Sequence, residues 1–330
     1  MKLTKDKTMI QLKEIYKPIE DQLKKIEKIV QEIWQDVLSL VDIEHTPALK
    51  AKGKLIRPAV CLLSAGALGK KNLEKYIPMA TAFEILHLAS LTHDDVVDGA
   101  DFRRGGLTLN RLWSNHAAVL GGDYLVARAL EMLGQYKSMG LIKVVLKSIR
   151  EMAEGELKFF NKKLEEYSIE DCLELSLRKT GMLFVCSAIG PTLIENSTNK
   201  QSFYNYGKNI GIAFQLIDDL LDFTQDSEVL GKPTLNDLEE RKITLPLVML
   251  WHKLNNAEKK FITNKIGATL TKKDKDKIQY LFNKYGIETQ VKSFTNSLKD
   301  KAIGSLKKIR NSHFKISLID LAQFIIERKN

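Results

Sequence analysis

Apolar residues recur along this chain at intervals of three and four. Ile19, Leu23, Ile26, Val30 and Ile33 are spaced four, three, four and three apart, which puts them on one face of a helix. That face predicts packing against the protein's own core rather than on a membrane. The runs AFEILHLASL and IGIAFQLI are more strongly apolar still. Strand signals, the β-branched alternation with Asn-Gly or Asp-Gly turns, are nearly absent. Prolines stand at 18, 47, 58, 78, 191, 233 and 246, with none between 78 and 191 and none after 246. The expectation is an all-α bundle of ten or more helices, forming a single domain over residues 1–330. No repeat of fixed period and no linker is visible, and Glu195–Gln201 reads as a loop.

Composition changes this picture little. With 330 residues and 44% hydrophobic content, the chain has ample material for a large core. The net charge of +10 fits a lysine-rich surface, and it also fits a polyanionic ligand such as a diphosphate. No nucleic-acid-binding motif is visible, so no nucleic-acid partner is expected. Cys61, Cys172 and Cys186 are too few and too scattered for a disulfide framework or a CxxC metal site. The start of the chain lacks the apolar core of a signal peptide, and no run of eighteen apolar residues exists. A cytoplasmic protein without an integral membrane segment is expected.

Two acidic clusters interrupt the apolar runs. Asp94, Asp95 and Asp98 lie in LTHDDVVDGADFRRG, and Asp218, Asp219 and Asp222 lie in FQLIDDLLDF. Each has the form DDxxD. At ordinary aspartate content, one such match arises by chance in roughly one sequence in fifteen of this length, and two in roughly one in several hundred. Residues four apart share a helix face, so Asp94 with Asp98, and Asp218 with Asp222, each present two carboxylates to one side. Such pairs repel each other and call for a hard cation with oxygen ligands. Aspartates at the ends of buried helices point to a cavity.

Cations stand in the same neighbourhoods. Lys54 and Arg57 lie in GKLIRP, Arg103 and Arg104 follow the first cluster, and Lys179 sits in the apolar run LSLRKTGMLF. Lys232 and Lys242 flank Asp237 after the second cluster. A buried lysine needs a partner, and an anion supplies one. Mg²⁺ keeps several waters and favours carboxylate together with phosphate oxygens, while arginine forks match phosphate geometry. The inferred ligand is a diphosphate clamped by Mg²⁺ between two helices. Charge at a mouth with hydrocarbon below suits a prenyl diphosphate. Metals and cations make diphosphate a good leaving group, and the allylic cation that results requires a dry cavity. A second alkene then attacks, and proton loss gives a chain longer by one isoprene unit, with the departed diphosphate as base. Elsewhere, Gly121-Gly122 predicts close helix packing against a bulky partner, and Asp123 reads as a helix–helix hydrogen bond ahead of a further ligand. The tail from His252 to Asn330 reads as bundle helices with solvated faces and no identifiable chemistry.

In order, GKLIRP, LTHDDVVDGADFRRG, GDYL, RKTG, FQLIDDLLDF and GKPTLNDLEERKITLPL resemble the trans-type polyprenyl diphosphate synthases, over about Lys54 to Pro246. The resemblance implies an all-α bundle around a central cavity, usually a homodimer, and three Mg²⁺ ions in the substrate-bound state. It implies isopentenyl diphosphate and an allylic diphosphate as substrates, with a product handed on to membrane enzymes. Asp94 and Asp98, with Asp218 and Asp222, resemble the metal ligands, and Asp95 and Asp219 belong to the same motifs. Lys54, Arg57, His87 and Arg104 resemble the isopentenyl diphosphate site. Arg103, Lys179, Lys232 and Lys242 resemble contacts to the allylic diphosphate, and Thr180 and Gln215 match positions near the reacting carbons. His87 lies seven residues before Asp94, on the same face, where a lone histidine is otherwise an ordinary core residue. The family often has glycine where this chain has Lys52 and Arg241. Neither departure removes a ligand, although Arg241 puts the rate of loop closure in question.

Product length turns on what lies below Asp94. Ala89 and Ser90, one turn away, are small, whereas bulky aromatics there stop growth early in the family. Phe83, eleven residues before Asp94, sits roughly 16 Å deeper at 1.5 Å per residue and is a candidate floor, as is Leu130. The expected product is long, hexaprenyl to octaprenyl, of the kind used in quinone side chains, with geranylgeranyl as the alternative. A class I terpene cyclase shares the first motif, but its second metal motif mixes Asn, Ser or Thr with Glu. A silent subunit of a heteromeric synthase usually lacks one aspartate motif. A cation-binding structural bundle has no need of the arginine pair.

Overall fold

The computed structural model describes residues 11–40, 53–103, 106–224 and 234–328. Among them are sixteen α-helices. In chain order these begin with α1 (Leu12–Tyr16), α2 (Glu20–Ser39), α3 (Ile56–Ala67) and α4 (Ile77–Val97). A two-by-two-residue hairpin follows, β1 (Phe102–Arg103) against β2 (Gly106–Leu107), with Phe102 opposite Leu107. Next come α5 (Leu109–Leu112), α6 (Asn115–Gly134), α7 (Met139–Phe159), α8 (Ile169–Ser176), α9 (Met182–Ile194) and α10 (Lys200–Thr224). The chain ends with α11 (Asn236–Glu239), α12 (Leu245–Trp251), α13 (Asn256–Thr263), α14 (Lys272–Lys284), α15 (Ile287–Ser305) and α16 (His313–Glu327). The expected all-α bundle is the fold observed, and the polar stretch after α9 is a loop.

Local sequence explains the helix boundaries. Ser114, Ser138 and Ser312 cap α6, α7 and α16 by accepting a backbone N–H in the first turn. Ser168 with Asp171, Asn255 with Glu258 and Thr271 with Asp274 form reciprocal capping boxes on α8, α13 and α14. Ile19, Leu23, Ile26, Val30 and Ile33 are all buried, and α2 packs on α4. The amphipathic face therefore joins the protein's own core.

Two apolar clusters share the bundle. The larger gathers α1 to α4, α6, α7, α9 and α16, and the second gathers α12 to α15. Helix α10 belongs to both, through Phe203, Tyr206 and Ile210 in the first and Ile212, Leu216 and Ile217 in the second. Its packing depends on close backbone approach. A Cβ at Gly211 would lie 2.6 Å from the Cα of Gly181, so only glycine lets α10 come so near the start of α9. The predicted bulky partner of the Gly121-Gly122 pair is His93. Its ring sits where a Gly122 Cβ would be, 2.1 Å from Nε2, and it bonds the Val119 carbonyl at 3.1 Å. Asp123 is the helix-to-helix contact expected of it, 3.5 Å from the same nitrogen. By this fit α6 locks against the end of α4 where the first acidic cluster stands.

Candidate active site

A cavity of about 560 Å³ lies between α4, α7 and α10. Its charged end brings together Arg57, His87, Asp94, Glu156, Lys179, Thr180, Gln215 and Asp218, drawn from elements far apart in sequence. Its remainder is mostly hydrocarbon, including Leu86, Ala89, Val126, Ile149, Met152 and Leu183, with Ser90 and His93 among them. The size and the division into a few polar groups and an apolar wall are those of a small-molecule site.

Lys179 and Thr180 reach this cavity because the backbone there is not α-helical. Leu177–Gly181 forms a π-helical turn between α8 and α9, a feature that recurs at functional sites. Lys179 Nζ lies 2.6 Å from Glu156 Oε1 on α7. Burial works against its charge, yet Asp94 and Glu156 hold its pKa above the ordinary lysine value, so the ammonium persists. Burial pushes the Asp94 carboxyl above its ordinary range, against the pull of Lys179 and with the like charge of Asp98 adding to the rise.

Thr180 donates to Gln215 Oε1 at 2.6 Å, and Gln215 Nε2 donates to Asp219 Oδ1 at 2.8 Å. The chain of bonds runs from the π turn across to the second acidic cluster. Asp219 is buried, and burial with the nearby Asp237 raises its pKa well above the usual range. Asp222 is also buried and turns away from the cavity. Its carboxylate accepts the backbone N–H groups of Asn236 and Asp237, each at 3.2 Å, and so holds the start of α11. Asp98 Oδ2 accepts from Lys242 Nζ at 2.7 Å, and Lys242 also bonds Glu240 at 2.6 Å. Asp218 lines the cavity and is bonded by Arg328 Nη2 at 2.6 Å.

The other predicted positions divide. Arg57 is buried with its guanidinium carbon 4.9 Å from the centre of the Phe184 ring. Lys54 is exposed, and its carbonyl accepts from the Tyr16 hydroxyl at 2.7 Å. Asp95 is buried at the foot of the first cluster. The Arg103 side chain, Arg104 and Lys232 lie outside the described residues. No group of three or more Asp, Glu, His or Cys among the described residues is gathered closely enough to hold an ion alone. Asp94 and Asp218 at the cavity supply oxygen ligands of the kind Mg²⁺ takes one or two of, the rest of its shell being water and phosphate oxygens.

Residues 44–285 match the polyprenyl synthetase family. The chain belongs to that family. It is an enzyme, a prenyl diphosphate synthase. It is 31% identical over 317 residues to an all-trans-nonaprenyl-diphosphate synthase of Rhodobacter capsulatus, spanning 96% of this chain and 97% of that protein. It is 33% identical over 279 residues to octaprenyl diphosphate synthase of Escherichia coli, spanning 84% and 86%. A polyprenyl synthase from Caulobacter crescentus, solved with calcium and isoprenyl diphosphate, superposes with a TM-score of 0.88 at 28% identity, covering 98% of this chain and 100% of that one.

In this polyprenyl synthetase, Ala89 and Ser90 lie on the cavity wall. Phe83 is fully buried elsewhere, packed where a Gly190 Cβ would be 3.2 Å from its ring. Leu130 packs against the larger core. The wall is completed instead by Val126, Ile149 and Met152 from α6 and α7, which sequence reasoning did not single out. Glu156, His93 and Arg328 were missed as well. The reading of the tail as solvated helices without chemistry is corrected by Arg328, whose side chain is only 4% exposed and reaches the second acidic cluster.

Proposed function

We propose that this synthase lengthens an allylic prenyl diphosphate with isopentenyl diphosphate, head to tail, to a long-chain product. The observation that carries the reading is one cavity with Asp94, Asp218 and Lys179 at its charged end and small Ala89 and Ser90 at the start of its apolar wall. The relatives named as octaprenyl and nonaprenyl synthases support the length.

Asp94 and Asp218, with Asp98, are the carboxylates that would hold Mg²⁺ against the allylic diphosphate. When bound, the ions supply Lewis-acid neutralisation of the leaving group. Lys179, kept charged by its acidic neighbours, takes the negative charge that develops on the departing diphosphate. Thr180, its proton committed to Gln215, is left with lone pairs to offer the cationic carbon. Arg57 and His87 on the cavity lining would hold isopentenyl diphosphate, with Arg103, Arg104, Lys54, Lys232 and Lys242 as further cationic contacts. The apolar wall excludes water from the cation. The released diphosphate takes the proton lost after condensation.

We read the chain as one synthase domain, because α10 runs through both apolar clusters. We read it as a homodimer, because Val119 and Leu120 on α6 and Met139 and Leu146 on α7 are exposed apolar side chains on neighbouring helices. A cytoplasmic setting accords with three free, buried cysteines. Among the described residues no helix is long and apolar enough to cross a membrane. We read the product as one handed on to membrane enzymes.

The test is product analysis. The purified chain is incubated with Mg²⁺, isopentenyl diphosphate and farnesyl diphosphate, and the dephosphorylated products are resolved by length. A ladder ending at one long species is expected. Absence of elongation with every allylic primer overturns the reading.

A further inference from the structure

The C-terminal arginine is built into the wall behind the second acidic cluster. Arg328 follows α16, and its guanidinium is buried against α10. Nη2 donates to the Phe214 carbonyl at 2.8 Å and to Asp218 Oδ1 at 2.6 Å, one helical turn apart. The guanidinium carbon lies 3.7 Å from the centre of the Phe214 ring. The Phe214 ring is 5.3 Å from Phe184, whose other neighbour is the Arg57 guanidinium. Two arginines thus bracket an aromatic pair, one at each end, and Phe214 and Asp218 both face the cavity. Arg328 itself is not on the cavity wall and touches the site only through these two residues.

An exposed ion pair holds its carboxylate weakly, because long side chains lose entropy in keeping one geometry. This pair is different on the arginine side. The guanidinium is desolvated, stacked on the Phe214 ring and bonded to the Phe214 carbonyl, so its position is set by α10 before it meets the carboxylate. It fixes Asp218 Oδ1 and leaves Oδ2 without a partner among the described residues. A carboxylate oriented through one oxygen and open at the other is a preorganised ion ligand, and such outer partners tune metal affinity by about 10- to 100-fold.

We propose that Arg328 is a positioning residue for Asp218, setting how tightly the second acidic cluster takes a divalent cation with diphosphate. The inference rests on the metal-clamp reading of the cavity given above. Its probe is Mn²⁺ with inorganic diphosphate, titrated calorimetrically into the full chain without isoprenoid substrate. Wild-type protein binds the pair, R328M binds it about 10- to 100-fold more weakly, and R328K, which keeps charge but not the fork, lies between. D218N weakens binding as well. Because Arg328 acts through Asp218, the double variant R328M/D218N is no weaker than D218N alone. Merely losing the docking of α16 would lower the melting temperature and leave these affinities additive. Wild-type affinity in R328M, or additive losses in the double variant, overturns the proposal. If R328M does not fold, R328K carries the test, and its binding at the wild-type level overturns it. Failure of wild-type protein to bind the pair overturns the metal-clamp reading instead.

Discussion

Lys242 Nζ lies 2.7 Å from Asp98 Oδ2, joining residues 144 positions apart in the chain. The lysine arrives from the segment after the second acidic cluster and lands on the first. Asp98 and Glu240 hold it charged against the cost of its burial. The pair fastens the segment beginning at Thr234 to the end of α4. K242M should lower kcat about 100-fold, the loss typical of one donor to developing charge, with product length unchanged. Steady-state kinetics with product sizing decide this, and near-normal kcat would remove Lys242 from the reacting end.

Product length should answer to the wall and not to Phe83. A89F fills the space one turn below Asp94 and is expected to shorten the product. M152A widens the cavity and is expected to lengthen it. F83A empties a fully buried site away from the wall, so it should cost about 3–5 kcal/mol of stability with product length retained. Chromatography of dephosphorylated products, beside denaturant melts, separates the two effects.

Acid sensitivity should centre on Glu195. Lys70 and Lys75 hydrogen-bond its carboxylate, and with Tyr76 they depress its pKa to about 2 against its partial burial. A depressed carboxylate contributes stability that is present above its unfolded pKa and is lost as pH falls through the folded one. The wild-type protein should therefore lose stability between about pH 4.5 and pH 2. E195Q should be less stable at neutral pH and flatter across that window. Melting temperature against pH tests both, and parallel curves would show that Glu195 contributes nothing.

Arg241 stands where the family often has glycine, and its φ of 60° is the left-handed conformation that glycine adopts freely. Its side chain lies over Gly267. R241G trades roughly 1–2 kcal/mol of left-handed cost for a similar loss of chain entropy, so its stability should stay near wild type. R241V, β-branched at positive φ, should be clearly less stable. Denaturant unfolding of the pair tests this, and equal stability of all three would deny the strain.

The acidic motifs, Lys179 and the close packing at Gly122 were legible because each depends on spacing within one helix or on an unusual residue in an apolar run, whereas Thr180 and Gln215 came only from the family resemblance. What escaped was set by the crossing of distant helices. Phe83 lies on the right face of α4 by periodicity, but Gly190 on α9 lets that face pack shut, which no pattern within α4 records. Arg328 sits in an ordinary charged tail, and only the path of α16 back to α10 gives it a role. Glu156 is one of several acidic residues on α7, distinguished solely by the lysine opposite. Asp222 has the spacing of a cavity ligand, yet the turn at Leu235 presents two amides that its carboxylate meets instead.

The π turn at Leu177–Gly181 has a further meaning. An α-helix advances 100° per residue, and a π turn takes up one additional residue by bulging, so the sequence after it runs one position out of step with an unbroken α-helical pattern while the helix itself continues. Here α8 keeps its apolar side on one cluster and α9 on the other, as Cys172 and Leu183 record. The turn acts as a differential between two cogs that share one shaft. Deleting one residue from 177 to 181 would therefore relax the turn to plain α-helix with the faces of α8 and α9 kept, and would move the side chains of the turn itself, Lys179 and Thr180 among them.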